Sequence, residues 1–251
     1  MIPAFDFLIL FAAALAAGSF NALAGGGSIF TFPALVAIGV PPIVANVTNT
    51  IALCPGYVGG VLAQRRDLAG QRRRMLLLLP VAAAGGIIGA LLLTRTSDAT
   101  FRALVPVLVL GACVLLAVQD RLRALLQRRH ARIALGWAVP PVLLAAVYGG
   151  YFGAGLSVMF LAMIGLAIDD NLTRLNALKQ AMSLVTNIAA ALWFGATAQV
   201  VWPAAGVMAV GALIGGALGG RLAGCVKPAT LRMIVIAIGL LIAAAFAIDR
   251  W

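Results

Sequence analysis

The chain has 251 residues, 63% hydrophobic and only 10% charged, with a net charge of +11 from 18 Lys+Arg against 7 Asp+Glu. Soluble domains carry about 25% charged residues, so too little polar sequence is present to cover a soluble core, and the fold class is an all-α polytopic membrane protein. The basic excess sits in clusters between apolar segments, where it signals topology rather than a nucleic-acid partner.

Ten apolar segments follow in chain order. The first, 4–23, has no basic leader and runs into a glycine break, so it is read as a retained helix and not a signal peptide. That break is Ala24-Gly25-Gly26-Gly27-Ser28, with polar Asn21 just before it. Segment 28–40 is too short to cross alone, since a crossing needs about 20 residues. Segment 42–64 opens behind Pro41-Pro42, a helix start, and carries Asn46, Thr48, Asn49 and Thr50. On a helix, Asn46, Asn49 and Thr50 share one face. A basic loop at 65–74 holds Arg65, Arg66, Arg72, Arg73 and Arg74, and segments 75–94 and 102–119 complete the first half.

A second basic loop, 120–132, contains Arg121, Arg123, Arg128, Arg129 and Arg132. Beyond it lie segment 133–152, the break Gly149-Gly150-Tyr151-Phe152-Gly153-Ala154-Gly155, short segment 155–168, and segments 172–194, 200–220 and 230–249. Segment 172–194 begins with Asn176, Lys179 and Gln180 and continues on the same face with Ser183 and Asn187.

The order of features repeats: glycine break, short apolar piece, amide-rich helix start, two more helices. This predicts a first transmembrane repeat at 1–119, a basic cytoplasmic loop at 120–132 and a second repeat at 133–251. Each repeat has four to five helical segments. Merging each short piece with its predecessor gives eight, and counting half-helices gives ten. Loops 65–74 and 120–132 are expected in the cytoplasm. With ten segments the loop bearing Arg221, Lys227 and Arg232 joins them, and five per repeat makes the halves inverted.

Chemistry is sparse outside these features. All seven acids are aspartates, none in mid-span, so paired catalytic carboxylates and carboxylate metal cages are missing. Cys54, Cys113 and Cys225 are scattered and His130 is the only histidine, which leaves no metal set. No Walker motif is present. The expectation is a protein that is not an enzyme and needs no cofactor. What remains is a set of backbone and polar groups that can face a transported substrate. Backbone N–H groups at Gly25, Gly26, Gly27, Ser28, Gly153 and Gly155 can face it. Amide and hydroxyl donors at Asn21, Asn46, Thr48, Asn49, Thr50, Asn176, Gln180 and Ser183 can orient it. The Lys179 ammonium, costly in an apolar span, can attract it. The competing readings are small-residue and polar helix packing and snorkelling of Lys179 to the interface.

The stretch AGGGSIFTFPALVAIGVPPIVANVTNTIAL, followed by PGYVGG and an arginine loop, and the later YFGAGLSVMFLAMIGL, LNALKQ and WPAAGVMAVGALIGGALGGRLA resemble the TauE/SafE sulfite exporter family, also called the toluene sulfonate uptake permease family. The likeness runs over nearly the whole chain. It implies a secondary transporter of the bacterial inner membrane that moves sulfite, sulfoacetate or another organosulfonate. Ser157 and Gln180 depart from the usual family pattern, which leaves the substrate within the family open. The expected mechanism is alternating access around one anion near the midplane, held between the breaks and the two polar helix starts. A passive anion channel and a carrier of non-sulfur organic anions are the alternatives. Partners are the anion and the lipid bilayer, with proton or cation coupling and a homo-oligomer left open.

Overall fold

The computed structural model describes residues 3–23, 27–128 and 135–222, together with Met233, Ile236, Ala237 and Leu240. Gly25, Gly26, His130, Cys225 and Lys227, and all of segment 230–249 except those four positions, lie outside the described residues.

Nine α-helices are formed among the described residues: α1 Ala4–Leu23, α2 Ser28–Ala37, α3 Pro42–Ala63, α4 Arg72–Thr94, α5 Asp98–Arg128, α6 Val139–Tyr151, α7 Leu156–Ala167, α8 Leu172–Thr197 and α9 Trp202–Leu222. A 3-10 turn, Leu135–Ala138, leads into α6. No strand occurs among the described residues. Helix starts follow local chemistry. Pro42 opens α3, where its missing N–H costs nothing. Asn171 caps α8 by accepting the Arg174 N–H at 2.8 Å.

The short segments are separate helices. At about 1.5 Å per residue, α2 and α7 reach roughly half of a bilayer core. Spans Ala4–Asn21, Arg72–Thr94 and Asp98–Val118 are long and apolar enough to cross unaided. Helices α3 and α8 are equally long but carry the polar residues, and they occupy the interior. The basic stretches are more helical than hydropathy suggests. Arg72, Arg73 and Arg74 form the first turn of α4, and α5 continues through Arg121 and Arg123 to Arg128.

Helix α3 packs on α8 at the centre. α9 packs on α1 and α3, and α4 packs on α6 and α8. Glycines let these backbones meet. A Cβ at Gly215 would lie 2.0 Å from the Leu15 carbonyl oxygen, and one at Gly89 would lie 2.1 Å from that of Val147. Such close approach, not hydrophobic transfer, holds helices together in lipid. Phe5, Leu76, Leu144 and Leu192 point outward and are exposed, as lipid-facing side chains are.

Candidate functional site

Helices α3 and α8 run antiparallel. The Asn176 amide at the start of α8 donates to Gln64 Oε1 at the end of α3, at 2.8 Å. One turn further in, Gly60 leaves the room that Gln180 fills: a Cβ there would stand 2.6 Å from Gln180 Nε2. At the opposite end, Thr48 Oγ1 accepts the Val201 N–H, just past α8, at 3.1 Å. Asn49 and Lys179 therefore lie on opposite sides of the midpoint of the pair. About twelve residues of helical rise separate them, roughly 18 Å. One small anion does not touch both. The polar residues group around two points of the pair, one that includes Lys179 and one that includes Asn49.

The first cluster runs from Lys179, toward the basic-loop end, to the midpoint of the pair, where Tyr57 and Asn187 stand. Asn21 Oδ1 accepts the Gly27 N–H at 2.8 Å, and the Asn21 side chain also meets the Tyr57 hydroxyl. Gly27 and Ser28 begin α2, so the positive end of that half-helix is anchored here. A Cβ on Gly27 would stand 2.5 Å from the Ala17 carbonyl oxygen, so glycine is required for space. On α8, Lys179 is only 2% exposed. Ser183, one turn on, lies 3.3 Å from Ser157 in the first turn of α7. Asn187 continues the face and donates to the Ser183 carbonyl at 2.8 Å. Lys179 is thus one helical turn from a contact with the start of α7, whose dipole is positive at that end. Buried Gln180 Oε1 has no hydrogen-bond partner.

The second cluster lies at the α6–α7 break. Gly153 and Gly155 adopt left-handed φ values of +79° and +76°, a conformation that costs other L-residues strain. Tyr148 ties the loop down by donating to the Ala154 carbonyl at 2.6 Å. Phe152 packs edge-on against Phe32, with ring centroids 5.4 Å apart. Asn46 Nδ2 donates to the Tyr151 carbonyl at 2.8 Å, docking α3 onto the end of α6. Thr50 Oγ1 donates back to the Asn46 carbonyl at 2.9 Å. The buried Oδ1 atoms of Asn46 and Asn49 have no partner.

A polar latch closes the basic-loop end. Asp170 pairs with Arg74 and accepts from Arg174 Nε at 3.1 Å. Arg174 also donates to the Ala69 carbonyl at 3.0 Å, and Gln71 donates to the Arg174 carbonyl at 3.0 Å. Burial raises the Asp170 carboxyl, but hydrogen bonds from Arg74, the Asn171 N–H and Arg174 outweigh it and hold the group below the ordinary carboxylate range. Asp170 accordingly serves the first turn of α4 and that of α8 together.

The sequence missed Tyr57, Gln64 and Gln71 as partners. Tyr57 stood inside the PGYVGG motif, Gln64 just before the first arginine loop and Gln71 within it, so position marked them but nothing named what they meet. Thr48 and Asn176 are engaged in helix–helix hydrogen bonds, while Gly25 and Gly26 fall outside the described residues.

The apolar exterior, the buried Lys179 and the two helix breaks fit a membrane transporter, and comparison with known proteins agrees. The family described as "Sulfite exporter TauE/SafE" matches residues 10–246. A probable membrane transporter protein of Haemophilus influenzae is 28% identical over 249 residues, covering 96% of this chain and 94% of the relative. The probable membrane transporter protein YfcA of Escherichia coli K12 is 28% identical, covering 85% and 79%. The probable membrane transporter protein ORF9 of a Sinorhizobium species is 26% identical, covering 85% and 82%. No solved structure matches. With its match extending over nearly all of its length, the chain belongs to the TauE/SafE family of membrane transporters.

Proposed function

We propose that this transporter carries a small sulfur-containing anion, such as sulfite, sulfoacetate or another organosulfonate, across the bacterial inner membrane by alternating access. The observation that carries the reading is Lys179, buried inside the bundle one turn from the Ser183–Ser157 contact at the start of α7. A fixed positive charge beside a half-helix N-terminus favours an anion. Ser183, Ser157 and Gln180 supply the polar atoms that orient it.

The repeat reading is supported by a constant spacing. The same interval separates Asn46 from Asn176, Thr50 from Gln180, Arg72 from Trp202 at two helix starts, and Gly85-Gly86 from Gly215-Gly216. Packing obeys it too: Gly86 meets Thr186, and Gly56, the counterpart of Thr186, meets Gly216. The antiparallel α3–α8 pair at the centre supports inversion of the halves. The basic ends are assigned to the cytoplasm by charge, and the Asp170 latch supports a conformer closed on that side.

Counterflow in proteoliposomes tests the proposal with a panel of sulfite, thiosulfate, sulfoacetate, taurine and simple carboxylates. Saturable exchange of sulfur anions that is lost in Lys179→Gln is the expected result. Movement of carboxylates alone would remove the substrate class, and flux without saturation or counterflow would remove the carrier mechanism.

A further inference from the structure

We propose that the outer cluster is a binding site for a dehydrated monovalent cation, for which sodium is the probe. Its oxygens are Asn46 Oδ1, on the side chain whose amide nitrogen reaches the C-terminal end of α6, and Asn49 Oδ1, one turn along α3. Both asparagines are 1% exposed, and neither oxygen has a hydrogen-bond partner. The orientation of Asn46 is fixed by its other amide atom, since Nδ2 donates to the Tyr151 carbonyl at 2.8 Å. Its Oδ1 is therefore an acceptor facing no donor. An unpaired buried acceptor costs about 1–3 kcal/mol, and two of them one helical turn apart on one face call for a shared positive partner.

The helix end that Asn46 touches has the sign a cation needs. Helix α6 ends at Tyr151, and its C-terminal carbonyls carry the negative end of its dipole. The Tyr148 carbonyl already accepts from the Phe152 and Gly153 N–H groups, and Tyr151 accepts from Asn46. The side-chain oxygens of Asn46 and Asn49 extend that array of acceptors. The start of α7, capped by Gly155, brings a positive end to the other side of the same break, so it is the unpaired oxygens of Asn46 and Asn49 that favour a cation at this point. A divalent ion is disfavoured, because such ions are held mainly by carboxylates and Asn46 and Asn49 are neutral amides. Neutral oxygens with unwound backbone at a half-helix end are the ligands that suit sodium.

The site lies on the opposite side of the α3–α8 midpoint from Lys179, so cation and anion would occupy separate clusters of one bundle. Binding stands on the geometry alone; the further step, that the cation is coupled to transport, rests on the carrier reading above. Such coupling would supply what anion uptake against an inside-negative potential requires, about 2.3 kcal/mol per charge per 100 mV.

The test uses the purified full chain without any transported anion. Thermal stability is titrated with sodium chloride against choline chloride at constant ionic strength, and binding of radioactive sodium is measured in parallel. A ligand that binds only the folded state stabilises it in a saturable way. The expected result is a saturable rise with sodium and none with choline. Asn49→Ala should raise the half-saturating concentration by at least about tenfold, whereas Asn49→Asp, which offers a carboxylate oxygen, should lower it. Identical curves in sodium and choline for the wild type overturn the proposal even if no variant can be purified. So does a sodium response that both variants leave unchanged. Because no substrate is present, a failed counterflow panel and a failed sodium titration are separate results.

Discussion

The two glycine breaks demand glycine for different reasons, and substitution should separate them. At Gly155 the backbone is left-handed, with φ +76°, and a Cβ would find its nearest neighbour, the Ala112 Cα, at 3.4 Å. Space is available, so Gly155→Ala bears the cost of left-handed backbone, about 1–2 kcal/mol. Asn tolerates this conformation best among the other residues, which offsets its greater bulk against Ala112 and Leu115, so the extra loss from Ala to Asn should be small at Gly155. At Gly27 φ is −56°, ordinary for any residue. There a Cβ would stand 2.5 Å from a backbone carbonyl oxygen and 2.8 Å from Asn21 Nδ2. Overpacking of this kind costs about 1–3 kcal/mol, and displacing Asn21 removes its hydrogen bond with the Gly27 N–H, worth about 1 kcal/mol more. Gly27→Asn, being larger, should be worse than Gly27→Ala. For a chain this long each kcal/mol moves Tm by about 2–4 °C, which fluorescence-detected thermal shift in detergent resolves. A loss from Ala to Asn as large at Gly155 as at Gly27 would refute the distinction between conformational and spatial need.

The other glycines follow the same logic. Gly89→Ala drives a Cβ to 2.1 Å from the Val147 carbonyl and should lower Tm clearly, whereas Gly111→Ala, with nothing within 4 Å, should not. In the latch, the depressed Asp170 carboxyl contributes stability that is fully present above the ordinary value of 3.8 and is lost as pH falls through its lower folded value. Asp170→Asn should therefore remove part of the acid dependence below that pH, read as the change in Tm with pH, and leave the profile near neutrality flat. Lys179→Gln should abolish sulfur-anion exchange at normal expression, and Lys179→Arg should retain part of it; equal exchange in wild type and Lys179→Gln would end the role assigned to the ammonium.

Much of the helical layout was legible because hydropathy and glycine breaks are local signals. The short pieces 28–40 and 155–168 became the half-helices Ser28–Ala37 and Leu156–Ala167. Helix ends at the basic stretches were misjudged because hydropathy falls at Arg74 and Arg121 while backbone hydrogen bonding continues. The polar residues were found, but not their grouping. Asn46–Thr50 and Asn176–Gln180 begin two helices that pack antiparallel, so similar sequence positions land at opposite ends of the pair. No local pattern carries that information. The pairings Asn176–Gln64 and Asn46–Tyr151 join residues more than one hundred positions apart, which is why a helix start that reads as a ligand set proves to be partly a fastening.

On the repeat reading, Asn49 and Lys179 occupy equivalent positions, and this one difference makes the two halves chemically unequal. A charged ammonium stands where its counterpart offers a neutral oxygen. The same backbone framework thereby presents an ammonium beside one unpaired acceptor, Gln180 Oε1, in one cluster and two unpaired acceptors, those of Asn46 and Asn49, in the other. Asn49→Lys tests whether the difference determines the chemistry. The new ammonium can lie against the acceptors near the α6 end and take the place of the bound cation, and Lys179 itself shows that the counterpart helix accepts a buried lysine at this level. The variant should therefore keep its fold, lose the sodium-dependent rise in Tm, and be more stable in choline than Asn49→Ala. A sodium response of wild-type size in Asn49→Lys would mean that the Asn49 oxygen is not a ligand and that the asymmetry between Asn49 and Lys179 serves the anion alone.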